Sequence, residues 1–104
     1  MARLSVALEA FEGRNLARLV GELDVSTAEV LAAKVAAIDG PLCLDCDGLT
    51  FVDSRGFATL VALSHHAGPL VLSRLTPEVL QVLLIMNLGG AIAIVDDIRD
   101  PGWA

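Results

Sequence analysis

Positive charge is scarce in this chain. Seven Lys and Arg stand against thirteen Asp and Glu, a formal net charge of −6. Nucleic acids and anionic membrane surfaces are bound through basic faces that neutralise phosphates, so neither is expected as a partner. Charge of either sign is also sparse, at 19% of residues, against 55% hydrophobic. That balance excludes a disordered, solvating segment. Two cysteines are too few for a disulfide framework. No signal-peptide core opens the chain, since Met1-Ala2-Arg3 leads straight into alternating apolar residues. A cytoplasmic protein is therefore expected. No run is long and greasy enough to span a bilayer. Val79 to Val95 is uncharged, but Gln81, Asn87 and Gly89-Gly90 interrupt it, and a span needs about 20 mainly apolar residues. Repeats, linkers and low-complexity tracts are missing as well. The 104 residues suffice for one domain, 1–104, because two cores would each be too small to be stable.

What is present is an alternation of strands and helices. Leu4, Val6 and Leu8 share one face of an opening strand, with Ser5 and Glu9 on the other. Glu12-Gly13-Arg14-Asn15 reads as a turn into a second strand over 16–22, making a hairpin. Ser26-Thr27-Ala28-Glu29 fits a capping box, with Ser26 capping and Glu29 reaching back. The helix that follows carries Leu31, Val35 and Ile38 and is stopped by Gly40-Pro41. Leu42 to Cys46 reads as a strand buried on both faces, followed by a loop from Asp47 to Asp53. Ser54 is the candidate N-cap of a second helix bearing Phe57, Leu60, Val61 and Ser64, which ends near His66 to Gly68. Pro69 to Leu72 is a strand. Thr76-Pro77-Glu78 opens a third helix, Gly89-Gly90 closes it, and Ala91 to Val95 is the last strand. The order ββαβαβαβ predicts an α/β fold with a mainly parallel five-stranded sheet and an antiparallel first strand.

Three motifs invite chemistry and do not carry it. Cys43 and Cys46 spell C-x-x-C, but within a strand residues three apart face opposite ways, so the sulfurs can neither pair nor share a metal. His65 and His66 lie about 100° apart on a helix and cannot chelate one ion together. They suit a helix C-terminus instead. Asp45-Cys46-Asp47-Gly48 is similar to the nucleophile motif of the haloacid-dehalogenase phosphatases. There Asp45 would attack phosphorus, Asp47 would serve as acid/base, Asp96-Asp97 would lie on the metal side and Mg²⁺ would bridge. The single lysine, Lys34, precedes the motif rather than following it, and 104 residues cannot hold that fold and its cap.

The informative segment is Leu49 to Phe57. It sets the Ser54 hydroxyl at a helix start, where free N–H groups and the helix dipole favour a phosphate. Gly56 in the first turn permits another backbone or a phosphate to approach closely. Asp24, Asp45, Asp47 and Asp53 are expected to gather at this carboxyl end of the sheet. Catalysis by Ser54 lacks support: no histidine is placed as its base, and the chain reads Val52-Asp53-Ser54-Arg55-Gly56 rather than a nucleophile elbow. A plain capping serine is the competing explanation, worth roughly 1 kcal/mol.

Gly21-Glu22-Leu23-Asp24, Thr27-Ala28-Glu29 and Leu49-Thr50-Phe51-Val52-Asp53-Ser54 with Gly56 resemble the STAS domain, in particular bacterial anti-sigma factor antagonists. Leu72, Thr76-Pro77-Glu78-Val79 and Asn87-Leu88-Gly89 also fit, so the likeness spans about residues 4 to 96. The resemblance implies a switch and not an enzyme, with no cofactor and no metal. The serine matching Ser54 is phosphorylated by an anti-sigma factor serine kinase. The unmodified form binds that kinase, the phosphorylated form releases it, and a phosphatase restores the first. Asp24 matches the acid that neighbours the serine. The partner surface implied is Asp24, Ser26, Thr27, Thr50, Phe51, Asp53, Arg55 and Gly56. A scaffold that binds another protein or a nucleotide without phosphorylation is the alternative. Arg55 stands where these antagonists usually carry a second Ser or Thr. The final amphipathic helix of the family is expected to be short or missing, since Ile98 to Trp103 is brief and holds Pro101-Gly102. That would leave an apolar face, with the nearly all-apolar third helix, open to a partner or to a second copy in a homodimer.

Overall fold

The structure, a computed structural model, describes residues 3–65, 70–86 and 92–96. The described elements run β1 (Leu4–Phe11), β2 (Arg14–Leu23), α1 (Ala28–Val35), β3 (Leu42–Val52), α2 (Ser54–Ser64), β4 (Leu70–Ser73), α3 (Pro77–Met86) and β5 (Ile92–Val95). The five strands form one sheet in the order β1-β2-β3-β4-β5. β1 is antiparallel to β2 and every other neighbouring pair is parallel. This is the expected α/β architecture.

Sequential order and right-handed crossovers put successive helices on the same side of a sheet. The core shows that arrangement. Leu31 and Val35 of α1, Phe57 and Leu60 of α2, and Val79 and Leu83 of α3 pack in one cluster with Ala17, Leu19, Leu23, Leu44, Cys46, Leu49 and Leu72 of the sheet. A smaller cluster of Leu16, Cys43, Val71 and Val95 contains strand residues alone. Cys43 and Cys46 therefore do lie on opposite faces, and both are buried free thiols. Burial pushes the Cys43 thiol up to about 11 and Cys46 higher still. Leu42 to Cys46 is buried on both faces, as expected.

Four local readings differ. The hairpin turn has only two residues, Glu12 and Gly13, both with positive φ (51° and 78°). That is the primed geometry whose twist matches paired strands, so Arg14 and Asn15 join β2. Helix α1 stops at Val35 rather than running to Ile38. Its end tightens, with Ile38 N–H donating to the Val35 carbonyl at 3.0 Å, while Ile38 still packs on the core. The capping box does not form: Thr27 is the N-cap of α1 and its side chain makes no capping bond. Finally, the stretch after Cys46 is strand, not loop. β3 continues to Val52 along β2 through two register shifts. At the first, a Cβ on Gly48 would lie 2.9 Å from the Leu19 carbonyl oxygen. The C-terminal segment, where the final helix is expected to be short or missing, falls outside the described residues, as do His66, Asp97 and the Gly89-Gly90 stop.

Candidate functional site

The extension of β3 delivers the chain to α2. Asp53, still extended at φ −97° and ψ −174°, is the N-cap of α2. Its Oδ1 accepts from Gly56 N–H at 2.9 Å and its Oδ2 from Val25 N–H at 3.3 Å. Its own N–H donates to the Leu23 carbonyl at 3.1 Å. One carboxylate thus fastens the start of α2 to the turn that precedes α1.

Ser54 is the first helical residue and is exposed. The expectation that Ser54 itself caps the helix is corrected here by one residue. A cap must be the last extended residue, and Asp53 is that residue because the strand runs directly into it. The signal was present in two adjacent cap-forming residue types. The Ser54 hydroxyl consequently has no hydrogen-bond partner among the described residues. It stands free at the positive end of an 11-residue helix.

Gly56 makes this arrangement possible. A Cβ there would sit 2.4 Å from the Leu23 carbonyl oxygen and 2.8 Å from Val52 Cγ1. The backbone that approaches Gly56 is the end of β2. Of the residues expected at the contact surface, Gly56 and Thr27 are buried. Thr27 acts internally: its hydroxyl accepts from Asp24 N–H at 2.9 Å and donates to the Glu22 carbonyl at 2.7 Å. The other expected surface residues are accessible. Ser26, Thr50, Phe51 and Arg55 are exposed, and Asp24 and Asp53 are partly so. Asp24 Oδ1 accepts from the Ser26 hydroxyl at 2.7 Å and from Ser26 N–H at 2.9 Å. The Ser26 hydroxyl, against the upward push of burial and aided by Ser26 N–H and Thr27, holds the Asp24 carboxyl below its usual value.

The four acids do not gather. Asp24 and Asp53 meet through the turn at Val25, but Asp45 and Asp47 belong to a separate cluster. Asp45 is 3% exposed and is gripped by Arg18 and Arg74, each at 2.6 Å. Arg18 also reaches Glu9 at 2.8 Å, and Arg74 approaches Asp47 at 3.9 Å. Burial pushes the Asp45 carboxyl up. The Arg74 hydrogen bond, the Asp47 N–H and the charges of both arginines outweigh it and hold the carboxyl below its usual value. A carboxylate saturated in this way is no phosphoryl nucleophile. Among the described residues no group of three acids, histidines or cysteines could hold a metal ion. No helix among them is long and apolar enough to cross a membrane.

An apolar groove of about 190 Å³ lies beside this site, between Thr50 to Val52 with Phe57 on one side and Glu78, Val79 and Val82 of α3 on the other. Helix α3 is apolar nearly all round but only half buried. Val79 and Leu83 face the core, while Val82, Leu84 and Ile85 are 39%, 64% and 75% exposed.

A family model described as "Mlab, STAS domain" matches residues 11–96. Solved structures share the fold. The anti-sigma factor antagonist SpoIIAA in its unphosphorylated form superposes with a TM-score of 0.70 at 22% identity, over 92% of each chain. A Thermotoga maritima protein described as a candidate anti-sigma factor antagonist gives 0.77 at 18% identity, over 91% of this chain and 89% of that one. A Shewanella loihica protein with a SpoIIAA-like fold gives 0.58 at 15% identity, over 96% and 91%.

Proposed function

The chain belongs to the STAS domain family, and from that premise we propose that it is an anti-sigma factor antagonist switched at Ser54. In this reading it works in the cytoplasm and catalyses no reaction of its own. An anti-sigma factor serine kinase binds the face formed by Asp24, Ser26, Thr50, Phe51, Asp53, Ser54 and Arg55. Phosphorylation of Ser54 releases it, and a phosphatase resets it. The observation that carries the reading is the free, exposed Ser54 hydroxyl at the start of α2, on a helix whose capping is done by its neighbour. Phosphorylation adds about −1.5 to −2 charge at pH 7. It does so beside Asp53 and on a surface that a partner must cover closely. A coupling of about 1–3 kcal/mol suffices for release, a loss of roughly 5- to 150-fold in affinity.

The test is incubation with the cognate anti-sigma kinase and ATP, read by intact mass, alongside affinity measurements on Ser54→Glu. One phosphate should be gained, none by Ser54→Ala, and Ser54→Glu should bind the kinase more weakly. Equal binding of both forms, or a phosphate that survives Ser54→Ala, refutes the switch.

A second reading keeps the fold and drops the phosphate: a STAS scaffold that holds another protein constitutively. One observation favours it: the exposed Arg55 occupies the place where antagonists usually carry a second Ser or Thr. Absence of any mass gain with the correct kinase selects this reading.

A further inference from the structure

Strand β3 is paired unequally along its length. β4 is four residues long and is registered only against Leu42 to Asp45. β2 accompanies β3 from Leu42 to Val52. From Cys46 onward, therefore, β3 has a strand on one side only among the described residues. Asp53 turns its N–H to the Leu23 carbonyl on the β2 side. Backbone groups alternate sides along a strand, so the N–H and C=O of Val52 point the other way. An unpaired strand side is a template for an added strand.

The groove adjoins this open side. Its floor includes Phe57, 6% exposed, and Val79, also 6%, and its rims are Phe51, 48% exposed, and Val82, 39%. Among the described residues the charged side chain that lines it is Glu78, exposed on α3, and none of them is Lys or Arg. The chain carries −6 overall.

We propose that the open side of β3 from Gly48 to Val52 receives an extended peptide segment of the partner, which adds a strand there and places one apolar side chain between Phe51 and Val82. The flanking residues of that segment are basic, matching Glu78 and the net negative charge. An exposed strand side selects an extended backbone through main-chain hydrogen bonds, and a neighbouring pocket selects the side chain. The segment would end within a few residues of Ser54, which gives the proposed switch a place to act. The inference deepens the antagonist reading by naming how the partner is held, yet it can fail separately, because its test needs neither kinase nor phosphate.

The test is an NMR titration of the intact chain with synthetic eight-residue peptides. Each alternates Lys and Thr around one central Leu, Ile, Phe or Met. A second set carries Glu for Lys, and a third is N-methylated on alternate backbone nitrogens. The expected result is saturable shifts at the Gly48 to Val52 amides and the Phe51 and Val82 side chains with at least one Lys peptide. Affinity should fall by about tenfold or more in Val82→Glu and in Phe51→Ser. The Glu and N-methylated peptides should bind correspondingly less. Both variants alter exposed positions, and melting curves establish that they fold. The proposal is overturned if no Lys peptide moves these signals, if both variants bind like the parent, or if N-methylation has no effect. Concentration-dependent self-association through the same residues also overturns it, because a second copy then occupies the site. Peptide binding in a chain that no kinase modifies would leave this inference standing and remove the switch.

Discussion

Replacing Asp53 should cost far more stability than replacing Ser54, although the serine is the residue on which function is proposed to turn. Asp53→Ala deletes the N-cap of α2, typically worth about 1 kcal/mol with a range of about 0.5–2. It also deletes the 3.3 Å bond to Val25 N–H that ties α2 to the entry of α1. That second bond is long and exposed, and contributes at most about 0.5 kcal/mol. The sum is about 1–2 kcal/mol. In a domain of this size each kcal/mol lowers Tm by roughly 4–8 °C, so a fall of about 5–15 °C is expected. Ser54→Ala removes an exposed hydroxyl that bonds to nothing among the described residues, and should stay within about 0.5 kcal/mol of the parent. Asp53→Asn should recover most of the loss, since Asn caps about as well as Asp. Urea denaturation and thermal melts of the four proteins measure all of this. A larger loss for Ser54→Ala than for Asp53→Ala would return the cap to the serine. No recovery in Asp53→Asn would show that the carboxylate acts through its charge and not through the cap.

Two further substitutions test the frame around the site. Gly56→Ala would ordinarily gain up to about 1 kcal/mol in a helix. Here the added methyl meets the Leu23 carbonyl oxygen at 2.4 Å, so a net loss of about 1–2 kcal/mol is expected from overpacking; a more stable variant in thermal melting would mean that β2 and α2 are not pressed together. Asp45→Asn should cost about 3 kcal/mol at neutral pH, the lower end for breaking a buried ion pair, because Arg18 and Arg74 are 38% and 35% exposed and keep part of their hydration. The sign of its pH dependence follows from the depressed Asp45 carboxyl. The stabilisation is complete above the ordinary value of 3.8 and is lost as pH falls through the lower folded value. The gap between the parent and Asp45→Asn should therefore begin to narrow below about pH 4 and close only once the pH has passed the lower folded value; a gap that stays constant from pH 7 through the acid range contradicts the arginine clasp.

Elements whose signals are local were legible in the sequence. The alternation of β1, the apolar run at Leu42 to Cys46 and the Thr76-Pro77-Glu78 start each sit within a few residues, and each formed where expected. The opposed faces of Cys43 and Cys46 followed from the period of a strand alone. What escaped depends on distant partners. Asp47 to Val52 reads as loop because Asp47 and Gly48 at its start are poor strand formers; the segment is held extended by β2, nearly thirty residues earlier. The Asp45 carboxylate looked like part of an acidic end because the two arginines that claim it, on β2 and just after β4, are 27 and 29 residues away. The capping box at Ser26 failed for a related reason: Asp24 accepts from both the hydroxyl and the N–H of Ser26, and its own N–H donates to Thr27, so the turn closes on itself before the helix begins.

The placement of Ser54 has a consequence for how a phosphate there could act. Of the first helical N–H groups, that of Gly56 is already taken by Asp53, whereas those of Ser54 and Arg55 have no partner inside the helix. A phosphate at this position gains about 0.3–1 kcal/mol from the helix end. Beside it, the Asp53 carboxylate repels, by about 1 kcal/mol per pair of unit charges at 4 Å in water, or about 2 for a doubly charged phosphate. The gain offsets part of the repulsion and leaves a net cost of about 1–2 kcal/mol, against a folding stability of about 5–15 kcal/mol for a typical domain. Modification of Ser54 therefore cannot work by unfolding the chain. Any effect must fall on whatever covers the serine, since only there are the added charges forced out of water. The Ser54→Glu protein should accordingly melt within a few degrees of the parent while its affinity for the partner drops, and a variant that loses both together would place the switch in the fold rather than at the interface.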